Sequence, residues 1–119
     1  MVGYIYQIIN KETGLRYVGK TIDIEKRKRD HFRELKEGKH KNSKLQAAYN
    51  RYGREAFDFI YETFEIENNE ELNTLEKLYI RKFNSFENGY NMTIGGDGGE
   101  IRNKLNYEQF CLVYLGCQW

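Results

Sequence analysis

Two runs rich in β-branched and aromatic residues, Tyr4-Ile5-Tyr6-Gln7-Ile8-Ile9 and Leu15-Arg16-Tyr17-Val18-Gly19, are separated only by Asn10-Lys11-Glu12-Thr13-Gly14. A short connection of that turn composition joins neighbouring antiparallel strands, so the chain is predicted to open on a β-hairpin. Five residues leave room for a bulge, and spacing alone therefore leaves open whether Tyr6 and Tyr17 share a face. A basic helix follows at once. Asp23 is its cap, Ile24, His31, Phe32 and Leu35 are its apolar and aromatic positions, and Gly38 is its stop. Arg27 and His31 are i,i+4 neighbours beside that stripe. Two phenols, a guanidinium and an imidazole thus fall within the stretch Gly3 to Leu35, a combination suited to phosphate chemistry.

Downstream, Leu45, Ala48, Tyr49 and Tyr52 repeat at helical spacing from about Ser43, with Gly53 at the end. Phe57 to Phe64 reads as a third strand, long enough to pair with the hairpin. Asn68-Asn69-Glu70-Glu71 opens a third helix and Arg81-Lys82 closes it, as the helix dipole prefers. The fold class expected is α/β, a small three-stranded antiparallel sheet flanked by three helices. The third helix carries the stripe Leu72, Leu75, Tyr79, Ile80 and Phe83, and Glu76 falls inside it. A carboxylate on a core-facing side costs several kcal/mol unless a cation, metal or hydrogen bond satisfies it, or unless it sits at the stripe's edge and reaches water.

Asn88-Gly89-Tyr90-Asn91 is a turn leading to Met92-Thr93-Ile94, and the domain is expected to span residues 1–94. Residues 95–104 read as a glycine-rich linker. Beyond them Tyr107, Phe110, Cys111, Tyr114 and Leu115 recur at helical spacing, so 105–119 is expected to form an amphipathic helical tail. It would pack on the main domain or a second chain, or open a further, truncated domain.

A length of 119 residues fits one small core. With 39% hydrophobic and 31% charged residues and no long apolar run, neither a membrane span nor a signal peptide is expected. Cys111 and Cys117 lack partner histidines at zinc spacing, and a reducing cytoplasm is the simplest setting. The net charge of +1 conceals an asymmetry. Residues 1–54 hold 14 Lys and Arg against 6 Asp and Glu, a net of +8, whereas the remainder holds 5 against 12, a net of −7. The first half offers a face for phosphates, and the second does not.

Two motifs compete for the hairpin. Gly14 to Thr21 satisfies the P-loop pattern G-x-x-x-x-G-K-[ST], but its interior Leu-Arg-Tyr-Val is strand-like and no later strand offers a Walker-B aspartate. No nucleotide cofactor is therefore expected. The second match runs further. Tyr4-Ile5-Tyr6, then Tyr17-Val18-Gly19, then Arg27, His31, Glu76 and Asn91 resemble the GIY-YIG nuclease family over about residues 3 to 94. The helix from Asp23 to His31, together with His40 and the Asn88-Gly89-Tyr90-Asn91 turn, resembles phage-type homing endonucleases most. One departure is Tyr4, where the family usually has glycine; Gly3 lies one residue earlier.

The resemblance implies a metal-dependent endonuclease acting on double-stranded DNA in a bacterial or phage-infected cell. It implies Tyr6 as general base with Tyr17 as its partner or as the base itself, and His31 as a neutral acceptor of the phenolic proton. Arg27 would clamp the phosphoryl oxygens with Lys20 beside it, and Glu76 would hold a single Mg²⁺ or Mn²⁺. Asn91 would orient the scissile phosphate or support the site, unless it merely closes its own turn. His40 and Lys44 would touch DNA, and the tail would begin a DNA-reading domain. A free phenol titrates near about 10, so base catalysis near neutrality asks that Arg27, Lys20 and a metal lower it. The rivals are a restriction or repair nuclease of the same family, and a silent nucleic-acid-binding module whose tyrosines stack on bases. Oligomeric state, target site and the choice between nicking and double-strand cutting are not legible.

Overall fold

The computed structural model describes residues 1–95. Residues 96–104 of the expected 95–104 linker, and the expected tail 105–119, lie outside the described residues. Three strands, β1 (Val2–Asn10), β2 (Arg16–Thr21) and β3 (Phe57–Glu65), form one antiparallel sheet in the order β2-β1-β3. Helices α1 (Ile24–Glu37), α2 (Ser43–Tyr52) and α3 (Asn69–Phe83) complete it, with a single 3₁₀ turn at Arg54–Ala56. This is the expected fold class. The P-loop pattern is absorbed by β2, whose Arg16 to Thr21 pair with Ile9 to Tyr4 along the ladder, so those amides do not wrap a phosphate.

Side-chain caps set the helix boundaries. Asp23, Asn42 and Asn68 each accept a backbone N–H of the first turn, from Lys26, Leu45 and Glu71 respectively. At the other ends Gly38 (φ 72°) and Asn84 (φ 51°) adopt the left-handed conformation that terminates a helix.

Strand alternation divides the core in two. Tyr6 and Ile8 point to one face, where Ile24 and Leu35 of α1 and Leu45 and Ala48 of α2 cover them. Ile5 and Val18 point to the other, against Leu72, Leu75, Tyr79 and Ile80 of α3. Each such aliphatic side chain contributes about 1.5–3 kcal/mol by leaving water. The close approach of α3 depends on Gly3: a Cβ there would lie 2.8 Å from both Ile66 and Leu72. Tyr4 faces the opposite side, edge-on to Tyr61 at 5.7 Å, so the tyrosine at the strand start does not disturb the α3 layer.

Candidate active site

The hairpin register resolves what spacing left open. Tyr6 pairs with Gly19 and Ile8 with Tyr17, which puts both tyrosines on the face covered by α1. Their rings lie 6.3 Å apart. The Tyr6 phenol crosses the neighbouring strand directly over Gly19, where a Cβ would come within 2.3 Å of both Cζ and Oη. Only a residue without a side chain fits opposite it. Tyr6 is 0% exposed and its ring stacks on Phe59 at 5.2 Å, whereas Tyr17 is half-buried.

Helix α1 then delivers two groups to the Tyr6 oxygen. His31 Nε2 lies 2.5 Å from Oη, and Arg27 donates its Nε–H to the same oxygen at 3.2 Å. His31 is buried at 2% exposure, while the rest of Arg27 stands open to solvent. His40 is also drawn in: its Nε2 lies 2.7 Å from His31 Nδ1. The structure therefore sets His40, itself partly exposed, behind His31.

Burial raises the Tyr6 phenol above its ordinary range, with Tyr17 adding to the shift and Arg27 opposing it. Burial and the Glu76 charge push Tyr17 up in the same way, against the Tyr6 hydroxyl and Arg27. Of the cations expected to lower the phenol, Arg27 acts in that direction on both tyrosines, against the larger effect of desolvation. His31 is lowered to about 3 by burial, by Arg27 and by His40, so it is neutral near pH 7. His40 is lowered by burial and by Arg27.

Glu76 is buried at 8% exposure, inside the α3 stripe as its position predicts. From the layer on the opposite side of the sheet, its charge raises Tyr17 and, less strongly, Tyr6. Among the described residues no cluster of three or more His, Cys, Asp or Glu could hold an ion. A single hard oxygen donor fits Mg²⁺ or Mn²⁺, which are commonly held by one or two carboxylates together with substrate phosphates.

Asn91 has a definite employment. Its Oδ1 accepts the Val18 N–H at 2.8 Å and its Nδ2 donates to the Val18 carbonyl at 2.9 Å. The side chain imitates a further strand along β2 and fastens the strand that carries Tyr17 and Gly19. It neither closes its own turn nor faces outward. Lys20 lines a cleft of about 400 Å³ with Lys26, Arg27, Asp30 and Asn69, next to the Tyr6 oxygen's guanidinium. Lys44 is exposed in the first turn of α2 and is not brought to the phenols.

Sequence reasoning passed over Gly19, Asn42 and Phe59 as parts of the site. In the sequence Gly19 reads as the end of a strand and a motif letter. Asn42, just ahead of the α2 periodicity, carries a cap signal, but nothing marks its further bond to the Tyr90 carbonyl at 2.7 Å. Phe59 is legible as a strand residue and no more.

A phenol held by imidazole and guanidinium over a glycine, with a buried carboxylate opposite, defines a class. Residues 2–91 match the GIY-YIG catalytic domain, and the chain belongs to that family. It is 38% identical over 88 residues to Intron-associated endonuclease 1 of Enterobacteria phage T4, covering 74% of this chain and 36% of that protein. It is also 38% identical over 94 residues to Probable intron-encoded endonuclease 1 of Neurospora crassa, covering 75% and 29%. The chain thus spans about a third of the length of the curated relatives it matches. Among solved structures, the catalytic domain of the homing endonuclease I-TevI superposes with a TM-score of 0.70 at 34% identity, over 75% of this chain and 96% of that one. A mutant of the same catalytic domain gives 0.65 at 32% identity, over 81% and 98%. No helix among the described residues is long and apolar enough to cross a membrane.

Proposed function

We propose that this chain is the catalytic domain of a metal-dependent endonuclease that hydrolyses phosphodiester bonds of double-stranded DNA. The observation that carries the reading is the convergence of His31 Nε2 and Arg27 Nε on Tyr6 Oη. A base-stacking module has no use for it, since a tyrosine at 0% exposure cannot stack on a base.

Activation of water falls to the Tyr6–Tyr17 pair. Tyr6 is held from the inside, and Tyr17 is the half-buried member that reaches solvent. Arg27 spends Nε on Tyr6 and keeps its outer nitrogens for the nonbridging oxygens, whose charge grows in the transition state. Lys20 and Lys26 in the adjoining cleft hold the flanking phosphates. Glu76 would hold one Mg²⁺ or Mn²⁺, which would supply Lewis-acid stabilisation of the phosphoryl group and reverse the sign of the field that Glu76 alone exerts on the phenols.

The test is incubation with supercoiled plasmid and Mg²⁺, with EDTA as control. Nicking is expected to vanish with EDTA and in Glu76→Ala and Arg27→Ala, and to fall at least about a hundredfold in Tyr6→Phe. Cleavage at the wild-type rate by Glu76→Ala would overturn the proposal.

A further inference from the structure

We infer that His40 is a positioning residue that sets the direction of the hydrogen bonds in the site, making His31 a donor to Tyr6 rather than the acceptor of its proton. The chain of bonds starts at a backbone amide. Asn42 N–H donates to His40 Nδ1 at 3.0 Å. A backbone N–H can only donate, so that nitrogen carries no proton, and neutral His40 keeps its single proton on Nε2. His40 Nε2 meets His31 Nδ1 at 2.7 Å. The two rings lie within 18° of one plane with centroids 4.9 Å apart, a geometry that fits rings meeting edge to edge along an N–H···N bond. His31 Nδ1 is therefore the acceptor, and the single proton of neutral His31 sits on Nε2, 2.5 Å from Tyr6 Oη.

Arg27 Nε–H, which also can only donate, arrives at the same oxygen at 3.2 Å. Both lone pairs of Tyr6 Oη are thereby filled by N–H groups. Its own proton is left to point away from both donors, on the oxygen's remaining side, with the Tyr17 ring 6.3 Å from that of Tyr6. The resting site already presents two donors to the oxygen, the arrangement that favours a phenolate against the burial that opposes it. Proton transfer from Tyr6 then runs away from His31, not inward to it.

The head of the chain is held in place from several sides. Asn42 caps α2 through Leu45 N–H at 3.0 Å and donates to the Tyr90 carbonyl at 2.7 Å, and Gln46 Oε1 accepts the His40 N–H at 3.0 Å. The loop that positions His40 is thus tied to α2 and to the final turn. A surface histidine meant for DNA has no need of such anchoring.

The catalytic meaning of this direction rests on the nuclease reading above, but the direction itself does not. The protein has only two histidines, so long-range ¹H–¹⁵N imidazole spectra of the full chain at pH 7.5 report on His31 and His40 alone. Both are expected as Nε2–H tautomers. His40→Ala removes the donor and is expected to shift His31 to a mixture rich in Nδ1–H, with kcat falling about tenfold and KM unchanged. His40→Gln places an amide N–H where Nε2 stood, and is expected to restore the His31 tautomer and most of kcat. A His31 Nδ1–H tautomer in the wild type overturns the inference, as does an unaltered Nε2–H tautomer in folded His40→Ala. If His40→Ala does not fold, the wild-type and His40→Gln spectra decide. Absence of cleavage by every protein would sink the nuclease reading and leave the tautomers to be read independently.

Discussion

At the scale of single residues, the site depends as much on a missing side chain as on those present. Tyr6 Oη and Cζ occupy the volume that a Cβ at position 19 would need. Gly19→Ala is expected to swing the phenol off His31 and Arg27, lowering plasmid nicking at least about a hundredfold and stability by about 1–3 kcal/mol in urea titration. The sequence pointed to Tyr6, Tyr17, Arg27 and His31 through strand composition and i,i+4 spacing. It did not single out Gly19, because a glycine's role in a strand depends on what crosses it. Burial of His31 has its own readout. Above pH 6.5 the ring is neutral in both folded and unfolded chains. Between 6.5 and about 3 only the unfolded chain takes up the proton, so stability falls as the pH is lowered through that window. His40, shifted in the same direction, adds to the loss. Urea midpoints are expected to drop between pH 7.5 and 5, by roughly 1 kcal/mol per pH unit for a single such proton, with a shallower slope in His31→Asn.

Among the elements, β2 is the one whose placement is least self-evident. It is an outer strand, and Asn91 closes its free side by occupying both polar groups of Val18. Asn91→Ala leaves those two buried groups unpaired and is expected to cost about 2–4 kcal/mol, with faster amide hydrogen exchange at Val18 in particular. Helix limits were legible because caps and stops are written locally, as Asp23, Gly38, Asn68 and Gly53 show. The task of Asn91 was not legible. A bond to a backbone 73 positions away leaves no periodic trace, and Asn in a turn has an ordinary local explanation. Glu76 lies between these cases: its place in an apolar stripe marked it as unusual, while the phenols it acts on come from another layer.

For the molecule as a whole, the split charge gives the basic half a geometry. Lys20, Lys26 and Arg27 line the cleft next to the site. The logarithm of kcat/KM for plasmid cleavage is expected to fall linearly with the logarithm of salt at constant Mg²⁺. Lys20→Ala is expected to reduce the slope by about one, and an unchanged slope would remove Lys20 from the phosphate contacts. The Asn91 clamp also has a consequence for the order in which the protein comes into being. Residues 1–37 encode both tyrosines, Arg27 and His31, yet the outer side of the strand holding Tyr17 and Gly19 is fastened at Val18 by Asn91, far along the chain. A nascent chain emerging from the ribosome therefore carries these groups long before it can lock them in register. The closing contact spans most of the domain, and such long-range closures form late. Assembly of the site arrives with the end of the fold, so an unfinished chain holds these side chains without the arrangement that joins them.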